Sequence, residues 1–200
     1  MGAITRTIAN NLTTGLGTGD FVHIKTLTAG GVSTLDFING TNDVVLDSTY
    51  NVYKVIGHRV DFGATQGLVC RYRISGGFID AGYETVSQYQ AGTATSPTGG
   101  GSTSSAYIRM GWQRYAGTTA GFSQNFEMTF YNLPSTAKDK HAICFMVNNG
   151  NTTNDAGFQA SSGTLDSDSA RTNAVDGLRF AAANFSTLIS GSFALYGLKE

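Results

Sequence analysis

The sequence predicts an all-β fold: a single antiparallel β-sandwich, jelly-roll-like, with an extended N-terminal arm. Three observations carry that expectation. Short runs of β-branched and aromatic residues recur between clusters of turn-forming residues, the spacing of a sandwich or barrel. Within several runs apolar and polar residues alternate with period two, as a half-buried strand requires. Among 200 residues there are 26 glycines but only two prolines, with 40% hydrophobic and 14% charged residues, a composition that supplies tight turns and a real core without a disordered tract. The length fits one sandwich domain over residues 21–200 after an arm of residues 1–20.

The arm is small, polar and aperiodic. Asn10 and Asn11 are adjacent and Gly15, Gly17 and Gly19 lie close together, which reads as an extended segment that docks on something else. Phe21 to Leu27, Val32 to Phe37 and Tyr50 to Ile56 read as the first strands. Cys70, Tyr72 and Ile74 alternate with Arg71 and Arg73, which puts an apolar row on one face and two guanidinium groups on the other. Tyr107 to Trp112 follows, and then Phe126, Met128 and Phe130 alternate with Asn125, Glu127 and Thr129. Ala142 to Val147 is apolar at every position and predicts a central strand covered on both faces. Leu178 and Phe180 oppose Arg179, and Phe193 and Leu195 oppose Ser192 and Ala194, which brings the strands to nine with no amphipathic helix. Ala91 to Ser105, with Pro97 and three consecutive glycines, predicts a mobile surface loop, and Asn148 to Asn154 a second one.

Charge and motifs narrow the chemistry. A net charge of −1 and a pI near 6.3 provide no basic field to hold a phosphate backbone or an anionic membrane, so no nucleic acid is expected as a partner. No apolar run approaches the roughly 20 residues of a membrane helix, so no membrane insertion is expected. The first residues lack the apolar core of a signal peptide, and Arg6 stands where a myristoylation motif wants Ser or Thr. Cys70 and Cys144 have neither zinc-site nor CxxC spacing and read as buried free thiols. His23, His58 and His141 form no metal-binding pattern, and no phosphate loop or dinucleotide fingerprint is present, so neither metal nor cofactor is expected. Asp36, Asp61, Asp80, Glu84 and Glu127 are candidates for paired-carboxylate hydrolysis of glycosides only in the sense that two acids from different strands suffice. Asp155, Asp166 and Asp168 match no calcium loop and read as solvated turn acids. Tyr107, Trp112 and Tyr115 are candidate glycan contacts, because an exposed ring offers a flat apolar face to a pyranose, although core packing is the commoner fate of such residues.

Three stretches carry a family resemblance. Leu46-Asp47-Ser48-Thr49-Tyr50-Asn51-Val52-Tyr53, Asp176-Gly177-Leu178-Arg179-Phe180 and the ending Ile189-Ser190-Gly191-Ser192-Phe193-Ala194-Leu195-Tyr196-Gly197-Leu198-Lys199 resemble tailed-phage virion proteins, in which a similar strand opens the domain and another closes it. The opening Gly2-Ala3-Ile4-Thr5-Arg6-Thr7-Ile8-Ala9-Asn10-Asn11 is similar to a segment of marine-phage fibre and appendage proteins. The resemblance implies a jelly-roll-like or concanavalin-like sandwich, commonly a homotrimer. Such a protein is displayed on the virion exterior as a fibre, spike or capsid decoration and is made in the host cytoplasm. It also implies contacts with other capsid or tail proteins through an assembly arm, here Ile4, Arg6, Ile8, Asn10 and Asn11. Recognition of a host surface glycan is the alternative role, and no catalytic residues come with the motifs. A closing strand with Phe193, Leu195 and Gly197 inward can lie beside the Tyr50 to Ile56 strand and protect both edges. Tyr50 and Tyr53 are expected on opposite faces, one in the core and the other toward a partner or loop.

Overall fold

Strands are the only regular elements in the computed structural model, which describes residues 20–62, 67–91, 96–111, 123–149, 156–165, 172–185 and 187–198. In chain order they are β1 (Phe21–Val32), β2 (Thr34–Ile38), β3 (Val52–Phe62), β4 (Leu68–Ile74), β5 (Gly77–Phe78), β6 (Tyr83–Ala91) and β7 (Thr98–Ser105). Then come β8 (Ile108–Arg109), β9 (Gln124–Tyr131), β10 (His141–Asn149), β11 (Ala156–Leu165), β12 (Val175–Ala182) and β13 (Leu188–Leu198). All pairings are antiparallel. The larger sheet has the order β1-β13-β3-β9-β10-β11-β6-β7, and the smaller β2-β12-β4-β5 with β8 also on β4. The pairings nest: β1 with β13, β2 with β12, β3 with β9, and β4 with the short β5 and β8. A chain that pairs its ends first and its middle last is one long hairpin wrapped into two layers, which is the jelly-roll arrangement. Strands β10, β11, β6 and β7 widen the larger sheet beyond that wrapped unit.

The core lies between the two inner faces. Val55, Met128, Phe130 and Leu195 from the larger sheet meet Leu35, Phe37, Leu178 and Leu68 from the smaller. Phe126, Phe180 and Phe193 bridge the layers with ring centroids 5.4–5.9 Å apart. Farther along, Tyr72 packs against Tyr83 and Phe130, and the Tyr83 hydroxyl accepts a hydrogen bond from the Tyr72 amide at 2.8 Å. The buried Tyr53 hydroxyl donates to the Asp47 carbonyl at 2.6 Å and accepts from the Asp47 amide at 2.9 Å, tying the loop before β3 to the sheet. Burial pushes that phenol up to about 12.

The closing strand lies where the sequence placed it, with Leu195 opposite Val55 and Tyr196 opposite Lys54. Six expectations need correction, among them the Tyr107 to Trp112 strand, of which only Ile108–Arg109 is strand and Trp112 lies outside the described residues. The Val32 to Phe37 strand is broken, because Gly31 has a positive φ of 72° and the chain turns between β1 and β2 to change sheets. Tyr50 and Tyr53 do not diverge: Tyr50 precedes β3, its half-buried ring covers Gly197, and it meets Tyr53 edge-on at 5.8 Å. Thr98 to Ser105, expected within a mobile loop, is the edge strand β7. Glycine permits this pairing: a Cβ at Gly99 or Gly101 would sit 3.2 or 3.0 Å from a β6 carbonyl, so the bare backbone approaches where a side chain would crowd. Ala142 to Val147 is central in its sheet but is covered on one face only. The loop expected at Asn148 to Asn154 begins as strand through Asn149, and residues 150–155 lie outside the described residues.

Gly57 is the tightest point of the core. A Cβ there would lie 1.9 Å from the Phe126 ring, which Phe180 and Phe193 hold from the other side. Gly57→Ala is expected to lower stability by about 1–3 kcal/mol through overpacking, read as a lower urea midpoint at unchanged slope. An unchanged midpoint would show that Phe126 is free to move aside.

Candidate functional site

The two outer faces of the sandwich differ in chemistry. On the smaller sheet Asp36, Arg179 and Arg71 stand in register across β2, β12 and β4. Arg179 forks onto Asp36, with Nε to Oδ1 at 2.8 Å and Nη2 to Oδ2 at 2.7 Å, and its guanidinium lies 3.7 Å over the Phe78 ring. That fork holds the Arg179 pKa above its ordinary value. Arg71 donates Nε to the Ala106 carbonyl and covers Phe185 at 4.6 Å, while Arg73 pairs with Asp176 at 3.0 Å. Charged groups thus shield the aromatic rings, and the face suits water.

The larger sheet turns apolar side chains outward. Alternation that buries Ala142, Cys144 and Met146 on β10 leaves Ile143, Phe145 and Val147 exposed at 36%, 40% and 52%. Ile56 on β3, Phe158 on β11 and Val86 on β6 join them at 40%, 50% and 58%. Register sets the pattern. Ile56, Glu127, Phe145 and Ala160 form one row across four strands, and Val147 stands opposite Phe158 in the row beside it. Phe145 and Phe158 stack at 6.3 Å with planes 21° apart, forming a ridge. On the other side Ile143, Ser162 and Val86 share a row, and the small side chains between the large ones leave a trough. Two adjoining depressions of about 690 and 640 Å³ follow it, floored by Ala160, Ser162 and Gly101 and walled by Val86 and Ile143. Glu84, His141 and Thr164 line its far end. Toward β3 the apolar face ends at Lys54, which pairs with Glu127 at 3.3 Å and lies 5.0 Å over the Phe21 ring.

Such a face offers apolar contact and shape to a partner. Among the described residues no three His, Cys, Asp or Glu side chains converge into a metal-holding group. The candidate acids are dispersed, Asp36 being committed to Arg179 on one sheet and Glu127 to Lys54 on the other. Of the candidate glycan contacts, Tyr107 lies in the turn before β8, half-buried, with the Arg109 guanidinium 5.8 Å from its ring. Trp112 and Tyr115 lie outside the described residues, as do the assembly-arm residues Ile4, Arg6, Ile8, Asn10 and Asn11 and the turn acids Asp155, Asp166 and Asp168. The outer-face row was missed because the unbroken apolar run of β10 read as a sign of cover on both sides. The signal that marks it lies on β11, where Ala160 and Ser162 beyond Phe158 are too small to cover Ile143 and Val86.

No protein-family model, curated protein or solved structure matches this chain.

Cys70 and Cys144 sit in the core as free thiols, as the sequence suggested, and burial pushes both well above the usual thiol range. Neither is expected to react with an aromatic disulfide reagent at pH 8 in the folded chain, and both are expected to react after denaturation. Rapid reaction of either thiol in the folded protein would contradict the packing of β4 against β10.

Proposed function

We propose that this chain is a non-enzymatic structural component of a tailed-phage virion, displayed on the particle exterior as a fibre, spike or capsid-decoration protein and attached through residues 1–20. The observation that carries the reading is the outer face of the larger sheet. The exposed chemistry of this sandwich is concentrated in a broad apolar surface suited to protein contact, with the Lys54–Glu127 pair on it and the Arg179–Asp36 pair on the opposite face. The resemblance of residues 46–53, 176–180 and 189–199 to virion proteins supports the same reading. Those stretches cover the connection into β3 with its first two residues, the middle of β12 and most of β13. β1, which follows residues 1–20, is an edge strand of the larger sheet. A homotrimer is the assembly that the resemblance favours.

A carbohydrate-binding adhesin of the tail is the second reading, favoured by the far end of the trough. Hydroxyls of Ser162 and Thr164, the Glu84 carboxylate and the His141 imidazole lie there beside the apolar wall of Val86, a mixture of groups that suits a sugar ring.

Antibody labelling of intact particles tests the first reading, with exterior label as the expected result. Ile4→Asp combined with Ile8→Asp is expected to leave the chain folded but absent from particles. Finding the protein only in infected-cell lysate, never on particles, would overturn the proposal. Glycan-array binding that disappears in Glu84→Gln would favour the adhesin instead.

A further inference from the structure

We infer that the outer face of the larger sheet is the docking surface for a second copy of this chain. The inference deepens the structural-component reading and rests on it for its setting, although the contact itself is argued from the face alone.

Area is the first argument. Ile56, Val86, Ile143, Phe145, Val147 and Phe158 are each 36–58% exposed on one face. With a fully buried aromatic ring covering 150–250 Å², together they present on the order of 500 Å² of apolar surface, near the upper end of the largest patch on a monomer. A stable contact needs about 800 Å² from each partner. Ala160, Thr129, Ser162 and the Lys54–Glu127 pair around the six side chains enlarge the patch toward that size, on a sheet of eight strands roughly 34 Å wide at the usual strand spacing.

Shape is the second. The stacked Phe145 and Phe158 form a ridge, and the small-residue trough over Ala160 and Ser162 runs beside it on the same face. A face that carries both a ridge and a trough is complementary to itself. The ridge of each copy fills the trough of the next, and either a two-fold pair or a three-fold ring buries both. Two sheets in face-to-face contact lie about 10 Å apart, the space two interlocking layers of side chains fill.

Charge is the third. Glu127, between Ile56 and Phe145 in the apolar row, is neutralised by Lys54, so an identical face meets no net charge from that pair. An apolar partner gains the whole area, and an identical face is such a partner.

Sedimentation equilibrium of the purified full chain from about 1 to 100 µM tests the inference, a range that covers ordinary interface affinities. The expected result is a dimer or trimer mass. Phe158→Glu on the ridge and Ala160→Leu in the trough should each raise the concentration of half-assembly at least tenfold, with circular dichroism unchanged. Thr136→Glu, on an exposed turn away from the face, should assemble as the parent does. A monomer throughout the range, or assembly undisturbed in both face variants, overturns the inference. Loss of assembly in the Ile4→Asp, Ile8→Asp chain while both face variants still assemble would overturn it in favour of an arm-mediated contact. Particle labelling reads the functional proposal separately: a chain that self-associates but is never on particles keeps the docking face and loses the virion role.

Discussion

A β-strand cannot bury one face without presenting the other, and every feature of this molecule follows from that constraint. Packing of Phe126, Met128 and Phe130 inward commits Glu127 and Thr129 to the outside, and packing of Ala142, Cys144 and Met146 inward commits Ile143, Phe145 and Val147 to the outside. The core therefore fixes the surface. The aromatic bridge of Phe126, Phe180 and Phe193 sets the register of the two layers, with Gly57 leaving room for it. A one-residue slip of β10 would bury Phe145 and expose Met146, so the outer apolar row is as well specified as the inner one.

The two outer faces show how much that surplus differs between layers. On the smaller sheet the outward positions of β4 and β12 are arginines, and each is spent on an acid, a carbonyl or a ring. On the larger sheet the wrapped unit ends at β9, and the added strands β10, β11, β6 and β7 carry large apolar residues next to Ala, Ser and Gly. The added strands thus supply a surface with relief and little charge. Relief matters because interface strength follows complementarity more closely than area.

Much of the sandwich was legible in the residues. The alternation at Cys70 to Ile74 and at Phe126 to Phe130 gave strand and facing together, since large apolar and charged residues separate cleanly there. The closing strand was legible because Phe193, Leu195 and Gly197 share one side, and the structure seats it between β1 and β3. β6 was missed although Tyr83, Ser87 and Tyr89 are buried along it, and β11 and β7 were not legible. Their Ser, Gly and Ala residues carry neither an apolar pattern nor β propensity, and they are strands because β6 and β10 offer backbone partners. The trough on the candidate face was hidden for the same reason, being made by what small residues leave empty.

By itself, then, the sequence determined the class of the fold, the inward face of its strongest strands and the buried state of both thiols, because period-two alternation and side-chain size are local properties. Only the tertiary structure decided how many strands widen the larger sheet, and that Tyr50 turns toward the core over Gly197. It also decided that one side of an entirely apolar strand stays uncovered. These are questions of which element lies beside which. An apolar run such as Ala142 to Val147 states that both faces avoid water, but only the assembled sheets show that, among the described residues, one of them has no layer above it.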